Sequence, residues 1–523
     1  MVDAVTGRVA QRFVPSANMA ANAPSIEEAA TSNLEAYRHY QLGVDLGRRF
    51  LIDEAIRELE EAVRLDPQFA LAYWRLSGGY AFRGDLRKSQ ELWPKIEQLQ
   101  SRLPRQDLLE FQAEEALRAG DLAGMRQILE SLLQEFPRQD DARQGLSRLL
   151  FSVGEGDRAI SLLKDGLQLD PRNETFLNVL GYLEAGMGNL AAALQANDQY
   201  MAIRPNDPNP WDTRGDIFYT LNHDDEAVEA YRKVLALKPD FTGYADYIKL
   251  AVVYADQKKY ALADSALQEY GKRVTGAGKF YVSVFAGQFQ ETRGDLEGAR
   301  VSYQSAVRDL AQAGQNGGAA DALQSLAMIS LLTGQGMTSD LVLVRQQKLS
   351  GLESGAMGFL QAAQGDMAAS DRSLQLYAAA RPELSSQGLE QIRKYIALYA
   401  ALVRKDAPGV LEVASRLPNF VVSRLRYPRG WADFETKDYA RAEQDLRTAV
   451  LQERSLSNFN AIRTRSPLLA AMAHFYLGQV YEATGKREQA ANEYQEFLSH
   501  FENSRASLPQ IALARTALQR SIP

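Results

Sequence analysis

The chain has 523 residues, more than one hydrophobic core normally organises, so it forms several domains or a repetitive array. Apolar residues make up 46% of it, which excludes a chain that is disordered throughout. The net charge of −7 arises from interspersed acids and bases without a basic stripe, which argues against nucleic acid as the main partner. The absence of cysteine excludes disulfides and cysteine-based metal sites.

The amino-terminal stretch is short and carries no signal-peptide pattern. Residues 1–14 place Val2, Val5, Val9 and Phe13 on one face of a short helix, and residues 15–30 have the composition of a linker. No stretch of the chain reaches the roughly 18 uninterrupted apolar residues of a membrane span. The sequence therefore predicts no direct membrane insertion and a chain soluble as supplied, cytoplasmic, or periplasmic if released from a membrane-anchored parent.

Residues 137–241 repeat with a period of 34 residues. A proline closes each period, at Pro137, Pro171, Pro205 and Pro239. Small and aromatic residues stand at fixed offsets before the last proline: Trp211, Gly215, Phe218, Ala227 and Tyr231. This pattern resembles the tetratricopeptide repeat, a pair of antiparallel helices. The resemblance implies an all-α solenoid, a right-handed superhelix with a concave inner groove that binds proteins or peptides.

The chemistry of the repeated positions suits paired helices better than an ordinary bundle with chance periodicity. Gly215 and Ala227 are small, so the two helices of a pair can approach closely. Tyr231 fills the space around that contact. Pro239 ends the second helix because proline has no amide proton and clashes with the preceding turn.

The same offsets, followed along the chain, predict about thirteen helix pairs and a final helix. We predict an amino-terminal helix and linker at 1–30, a regular repeat array at 31–310, degenerate helical repeats at 311–420, carboxy-terminal repeats at 421–505 and a capping helix at 506–523. A two-residue slip follows Pro239. The glycine-rich stretch 311–322 is predicted as a long turn between helices.

Candidate chemical motifs favour binding over catalysis. The segment "TGAGKF" at 275–280 lacks the spacing of a phosphate-binding loop, so it is predicted as a turn between repeats. The four histidines are scattered without metal-ligand spacing, and packing is the predicted role of His39. The acidic stretch 222–227 is predicted to cap a helix amino terminus. With no catalytic constellation in the sequence, we predict a non-enzymatic protein with no cofactor and no metal.

The resemblance places ligand contacts on the first helix of each pair, facing the groove. Carried onto this chain, those positions are Tyr37, Tyr40, Trp74, Gln144, Arg148, Phe151, Asn178, Tyr182, Asp212, Asp216 and Tyr219. Aromatic side chains with scattered polar ones fit a groove that grips an extended peptide or a helix. The alternative is that these side chains fill contacts between neighbouring helix pairs.

Both ends of the array resemble the repeat regions of bacterial signalling proteins, where such repeats follow a kinase, winged-helix or cyclase-like domain. Residues 31–77 and 473–504 carry this resemblance. It implies a sensor or scaffold that binds a protein or peptide. A second hypothesis is the regulatory region of a Ser/Thr kinase or transcriptional regulator whose effector domain is absent from this chain. A third is self-assembly into a homo-oligomer through the end repeats.

Overall fold

The computed structural model describes residues 31–521, without 84, 383, 418–422, 457–464, 503 and 505–506. The predicted amino-terminal helix and linker at 1–30 lie outside the described residues. The described part contains 27 α-helices, thirteen successive pairs and a final helix, which confirms the predicted all-α tetratricopeptide-like solenoid.

In chain order the helices are α1 Leu34–Arg48, α2 Ile52–Leu65, α3 Ala70–Phe82, α4 Leu86–Leu99, α5 Arg105–Arg118, α6 Leu122–Glu135, α7 Asp140–Ser152, α8 Gly156–Leu169, α9 Glu174–Gly186, α10 Leu190–Ile203, α11 Pro208–Thr220, α12 Asp224–Leu237, α13 Ala245–Asp256, α14 Tyr260–Arg273, α15 Tyr281–Thr292, α16 Leu296–Gln312, α17 Asn316–Thr333, α18 Met337–Gln346, α19 Glu353–Ala363, α20 Met367–Ala379, α21 Ser386–Val403, α22 Ala407–Ser415, α23 Ser423–Glu435, α24 Tyr439–Glu453, α25 Pro467–Ala483, α26 Arg487–His500 and α27 Pro509–Ser521. Short 3₁₀ turns at Gln100–Arg102, Phe241–Gly243 and Gly276–Phe280 connect some of them.

Repeated glycines let the helices of a pair touch. A Cβ atom added to Gly215 would lie 2.4 Å from a ring carbon of Tyr231, sixteen positions further on. Glycines of four other pairs meet the side chain at the same offset, namely Gly43 with Leu59, Gly287 with Tyr303, Gly430 with Leu446 and Gly478 with Tyr494. Any larger residue would have to push the two helices apart. The small-residue positions therefore set the spacing within each pair.

The chain divides into two compact units. The first compact unit contains residues 31–115 and 127–142 of the described chain, with a core that includes Trp74, Trp93 and Phe111. The second compact unit contains residues 116–126 and 143–521, with a continuous core that runs from Tyr219 to Ala517. None of the described helices combines the length and the apolar character that a membrane crossing requires.

Two local expectations meet different outcomes. The two-residue slip after Pro239 is absorbed by the 3₁₀ turn Phe241–Gly243, followed by Tyr244 with a φ of 68°. The predicted long turn at 311–322 was wrong, because α16 continues to Gln312 and α17 begins at Asn316. Gly318 lies inside α17, where an added Cβ would come within 2.8 Å of the Tyr281 hydroxyl. Gly318 therefore allows α17 to pack closely against Tyr281. Composition alone does not distinguish a glycine needed for packing from one needed for a turn.

Candidate functional site

In the first compact unit, the aromatic side chains predicted to face the groove lie in contacts between helices. Tyr37 and Tyr40 stack with ring centroids 6.2 Å apart, and Tyr40 meets Phe69 at 5.0 Å. Trp74 is 5% exposed, and its indole nitrogen donates to Glu114 Oε2 at 2.5 Å. Tyr40 and Trp74 therefore contact neighbouring elements, while Tyr37 packs against Tyr40 within α1.

In the second compact unit, Asp212 and Asp216 form a buried ion cluster with Lys249 of the next helix pair. The Lys249 ammonium lies 2.5 Å from Asp212 Oδ1 and 2.9 Å from Asp216, and all three side chains are buried. Asp216 also accepts hydrogen bonds from the hydroxyls of Tyr182, at 2.9 Å, and Tyr231, at 2.7 Å. The cluster therefore connects α9, α11, α12 and α13. Asn178 of α9 is buried as well.

Burial controls the protonation of this cluster. It raises the pKa of Asp216 to about 7, although Lys249 beside it acts in the opposite direction. Burial and the nearby Asp212 raise the pKa of Asp246 well above its usual range, and no described donor reaches either Asp246 oxygen. Burial alone would lower the pKa of Lys249, but Asp212 and Asp216 outweigh it and raise that pKa. A charged lysine therefore lies beside Asp216 and Asp246, two carboxyls that burial makes easier to protonate.

Tyr219 is fully buried, and elements far along the chain cover it. The Arg454 guanidinium carbon lies 4.1 Å from the centre of the Tyr219 ring. Arg465 Nη2 donates to the Tyr219 hydroxyl at 2.9 Å, and that hydroxyl donates to Asp256. We call Tyr219, Asp224, Asp256, Arg454 and Arg465 the arginine clasp. The position that the repeat pattern assigns to a ligand is thus occupied by the chain itself.

The acidic stretch 222–227 behaves differently from the prediction that it caps a helix. His223 occupies the position before α12 and makes no side-chain capping bond. Asp224 instead pairs with Arg454, and Asp225 accepts from Gln257 Nε2 at 2.9 Å. Capping by aspartate does occur in other pairs, where Asp295 accepts from the Gly298 amide at 3.0 Å. The contact with Arg454 is long-range, so local sequence rules do not show it.

The remaining predicted groove residues, on α7, are accessible. Arg148 is exposed, while Gln144 and Phe151 are half-buried. Phe151 packs against Gly186 and lines a cleft of about 1320 Å³ within the second compact unit. Of the predicted set, Phe151 is the residue that the structure places at this cleft.

Two walls from distant parts of the second compact unit form the cleft. One wall is the row of turns between the two helices of successive pairs, at 154–156, 186–188, 220–224 and 255–260. The other wall is one face of α24 and one face of α26, and Gln444, Arg447, Gln489, Asn492 and Glu496 are exposed on it. The volume exceeds the roughly 300 to 1,000 Å³ of pockets that hold small molecules. Four members of the arginine clasp, Asp224, Asp256, Arg454 and Arg465, line the same cleft.

Sequence reasoning missed the polar residues of the second wall. The side chains of Gln444, Gln489 and Asn492 form no hydrogen bond with the described residues, so their amides face solvent in the cleft. Their helical spacing marks an exposed face of each helix. Only the fold shows that this face meets the row of turns.

Two of the four histidines join the helices of a pair. His39 Nδ1 lies 2.6 Å from Glu58 Oε2, and His474 Nδ1 lies 2.6 Å from Glu493 Oε2, each pair joining two helices. Burial lowers the pKa of His500 to about 4, which keeps that ring neutral at physiological pH. Within the described residues, no group of three or more histidine and acidic side chains is arranged to hold a metal ion.

Sequence-family models match the middle of the chain. Three models described as tetratricopeptide repeat cover residues 116–166, 145–208 and 209–241. The chain is a tetratricopeptide repeat protein. Tetratricopeptide arrays generally bind protein partners and are typically non-catalytic, so this chain is a protein-interaction scaffold in general terms. The narrower resemblance to bacterial signalling proteins is not addressed by these matches and stays a prediction.

Solved structures with a likeness to this tetratricopeptide repeat protein are distant. A chain of the APC/C hetero-tetramer Cut9–Hcn1 is 16% identical with a TM-score of 0.39, covering 94% of this chain and 77% of that one. A tetratricopeptide repeat protein from Parabacteroides merdae is 12% identical with a TM-score of 0.28, covering 55% and 97%. The Naa15/Naa10 structure bound to HypK-THB gives 13% identity and a TM-score of 0.24, covering 99% and 96%. A search of curated proteins by sequence found no match.

Proposed function

We propose that this tetratricopeptide repeat protein binds an extended peptide segment of a partner protein in the cleft between the row of turns and helices α24 and α26. The observation that carries the proposal is the set of exposed amides, Gln444, Gln489 and Asn492, facing a row of turns. Amide side chains both donate and accept hydrogen bonds, as a peptide backbone requires. Phe151 and the exposed Met187 supply apolar contact at the other wall.

This site lies beside the predicted groove residues and shares only Phe151 with them. Tyr182 and Asp216 are engaged with each other, and Tyr219 is covered by the arginine clasp. Replacing Tyr182 or Tyr219 by alanine would remove internal hydrogen bonds, so loss of binding in those variants would not report on a ligand contact. Exposed cleft residues are the suitable positions for substitution.

Two matched substitutions on α26 test the proposal. Asn492 lines the cleft and Gln495 does not, and both are exposed. We expect Asn492→Arg to weaken the binding of peptides by about tenfold or more, because the long cation projects into the cleft and removes an amide that would bind the peptide backbone. Gln495→Arg introduces the same charge outside the cleft and should leave binding unchanged. The measurement is binding of the full chain to a peptide array, followed by titration of the peptides selected.

The two variants also define the contrary result. If Asn492→Arg and Gln495→Arg bind every selected peptide as tightly as the unmodified chain, the cleft is not the binding site. Circular dichroism of both variants shows whether the helices remain intact, so a folding defect is separated from a binding defect.

A further inference from the structure

Within the arginine clasp, Arg454 and Arg465 contact the other three residues as a bound ligand would. Arg454 Nε donates to the Tyr219 carbonyl oxygen at 2.9 Å, its guanidinium lies over the Tyr219 ring, and it pairs with Asp224. Arg465 Nη2 lies 3.4 Å from Asp256 Oδ2. Two guanidinium groups from one segment thus occupy a surface made of a ring, a helix end and two carboxylates.

The surface that receives the arginines belongs entirely to the middle repeats. Tyr219 lies at the end of α11, Asp224 begins α12, and Asp256 ends α13. The carbonyl oxygens at the carboxy terminus of α11 carry partial negative charge, which favours a cation there. The Asp256 side chain is only 15% exposed while the two arginines lie against it, and their removal would leave that carboxylate without its cations.

The chemistry of the surface selects arginine over lysine. A guanidinium is planar, stacks on an aromatic ring and donates in several directions at once. Arg454 uses all of these properties, because it lies over the ring, donates to a carbonyl and contacts Asp224 and Asp256. A lysine ammonium is a compact charge that cannot make the stacked contact and both carboxylate contacts together.

We propose that Tyr219, Asp224 and Asp256 form an arginine-binding surface, which Arg454 and Arg465 occupy within the chain and which an arginine-bearing segment of a partner protein takes over. The inference rests on the proposed peptide-binding function, since Asp224, Asp256 and both arginines line the same cleft. It specifies the partner as a segment with arginine side chains. It also makes the chain's own arginines competitors of that partner, because a tethered group has a high effective concentration.

The test uses the full chain and a synthetic peptide with the sequence of residues 451–468 of this protein. In the double variant Arg454→Gln and Arg465→Gln, the surface is vacated while the peptide supplies both arginines. We expect the peptide to bind this variant at least about tenfold more tightly than the unmodified chain, whose surface is already occupied. Isothermal titration calorimetry measures both affinities.

Two controls make the result specific. A peptide with lysine in place of Arg454 and Arg465, its Arg463 unchanged, should bind the double variant more weakly. Adding Asp256→Asn to the double variant should abolish binding of the arginine peptide. Equal affinity for the unmodified and double-variant chains, or no binding to the folded double variant, would refute the proposal. If the double variant loses its helical circular dichroism, the single variant Arg465→Gln is tested in the same way and the same two results refute it.

The outcome is separable from that of the proposed function. Asn492→Arg tests the wall formed by α26, whereas the peptide titration tests Tyr219, Asp224 and Asp256. Suppose that the double variant binds the arginine peptide and that Asn492→Arg binds the selected peptides with unaltered affinity. The arginine-binding surface would then be retained and the wider cleft rejected as the peptide site.

Discussion

Buried carboxyls give the second compact unit a proton-dependent interior. Glu291 at the end of α15 accepts hydrogen bonds from the Tyr303 hydroxyl at 2.5 Å and from the Leu468 amide at 3.3 Å. Burial raises the pKa of Glu291 from 4.5 to about 7, and the nearby Glu453 acts in the same direction, while Tyr303 and Arg424 oppose it. The group therefore holds a proton in the folded chain at pH values where it would be ionised in the unfolded chain.

The raised pKa of Glu291 predicts a pH-dependent stability. Its contribution is fully present below the unfolded value of 4.5 and is lost as the pH rises through about 7. Glu291→Gln imitates the protonated form, so its free energy of unfolding should fall less between pH 5 and 8, by up to roughly 3 kcal/mol. Urea unfolding of both proteins across this range measures the difference.

The control for this prediction is Glu229→Gln, since Glu229 is exposed on α12. That variant should follow the pH dependence of the unmodified chain. Parallel curves for Glu291→Gln and the unmodified chain would show that Glu291 is ionised in the folded state.

At the scale of the element, the spacing of the helices in each pair depends on single glycines. Tyr231 cannot move away from Gly215, because its ring is fully buried and its hydroxyl is bound to Asp216. The same glycine offset in five pairs indicates that this contact is a property of the repeat and not of one site.

We expect Gly215→Ala to destabilise the chain by about 1–3 kcal/mol, because the added methyl overlaps the Tyr231 ring. Gly271 provides the control within another helix, α14, where an added Cβ would meet its nearest atom at an ordinary 3.5 Å. Gly271→Ala should leave stability unchanged or raise it by up to about 1 kcal/mol. Thermal unfolding of both variants compares them, and equal melting temperatures would contradict the packing argument.

The sequence was sufficient for the fold because its signals are local. Proline and small-residue offsets report contacts within one pair, such as Gly215 with Tyr231. The assignment of Tyr219 to an open groove depended on what lies opposite it, and that partner, Arg454, is 235 residues away. No periodic pattern encodes such a distance. Phe151 could be selected from its repeat position, whereas Gln444 and Asn492 could not, because they lie on second helices of late pairs.

At the scale of the whole molecule, the second compact unit departs from a simple linear array. Contacts in a solenoid normally join neighbouring repeats. Here the turns contact later elements in parallel order: Ala119 meets Ser385, Tyr219 meets Arg454 and Arg465, Glu291 meets Leu468, and Gln335 meets Ser507. Late repeats therefore pack along the ends of earlier helix pairs, so helix pairs far apart in sequence stabilise each other.

This long-range sharing can be tested at the contact between the turn after α5 and the start of α21. The Ala119 carbonyl accepts from the Ser385 amide at 3.0 Å and from its hydroxyl, and an added Cβ on Gly388 would lie 2.5 Å from that carbonyl oxygen. We expect Gly388→Ala to accelerate amide hydrogen exchange about tenfold or more in residues 117–122 and 385–391, two segments far apart in sequence. Residues 219–224 should keep their exchange rates, since the arginine clasp secures them independently. The control is Gln387→Ala, at the exposed neighbour of Gly388, which should leave the exchange rates of both segments unchanged. If Gly388→Ala accelerates exchange in 385–391 alone, the two segments are not energetically coupled.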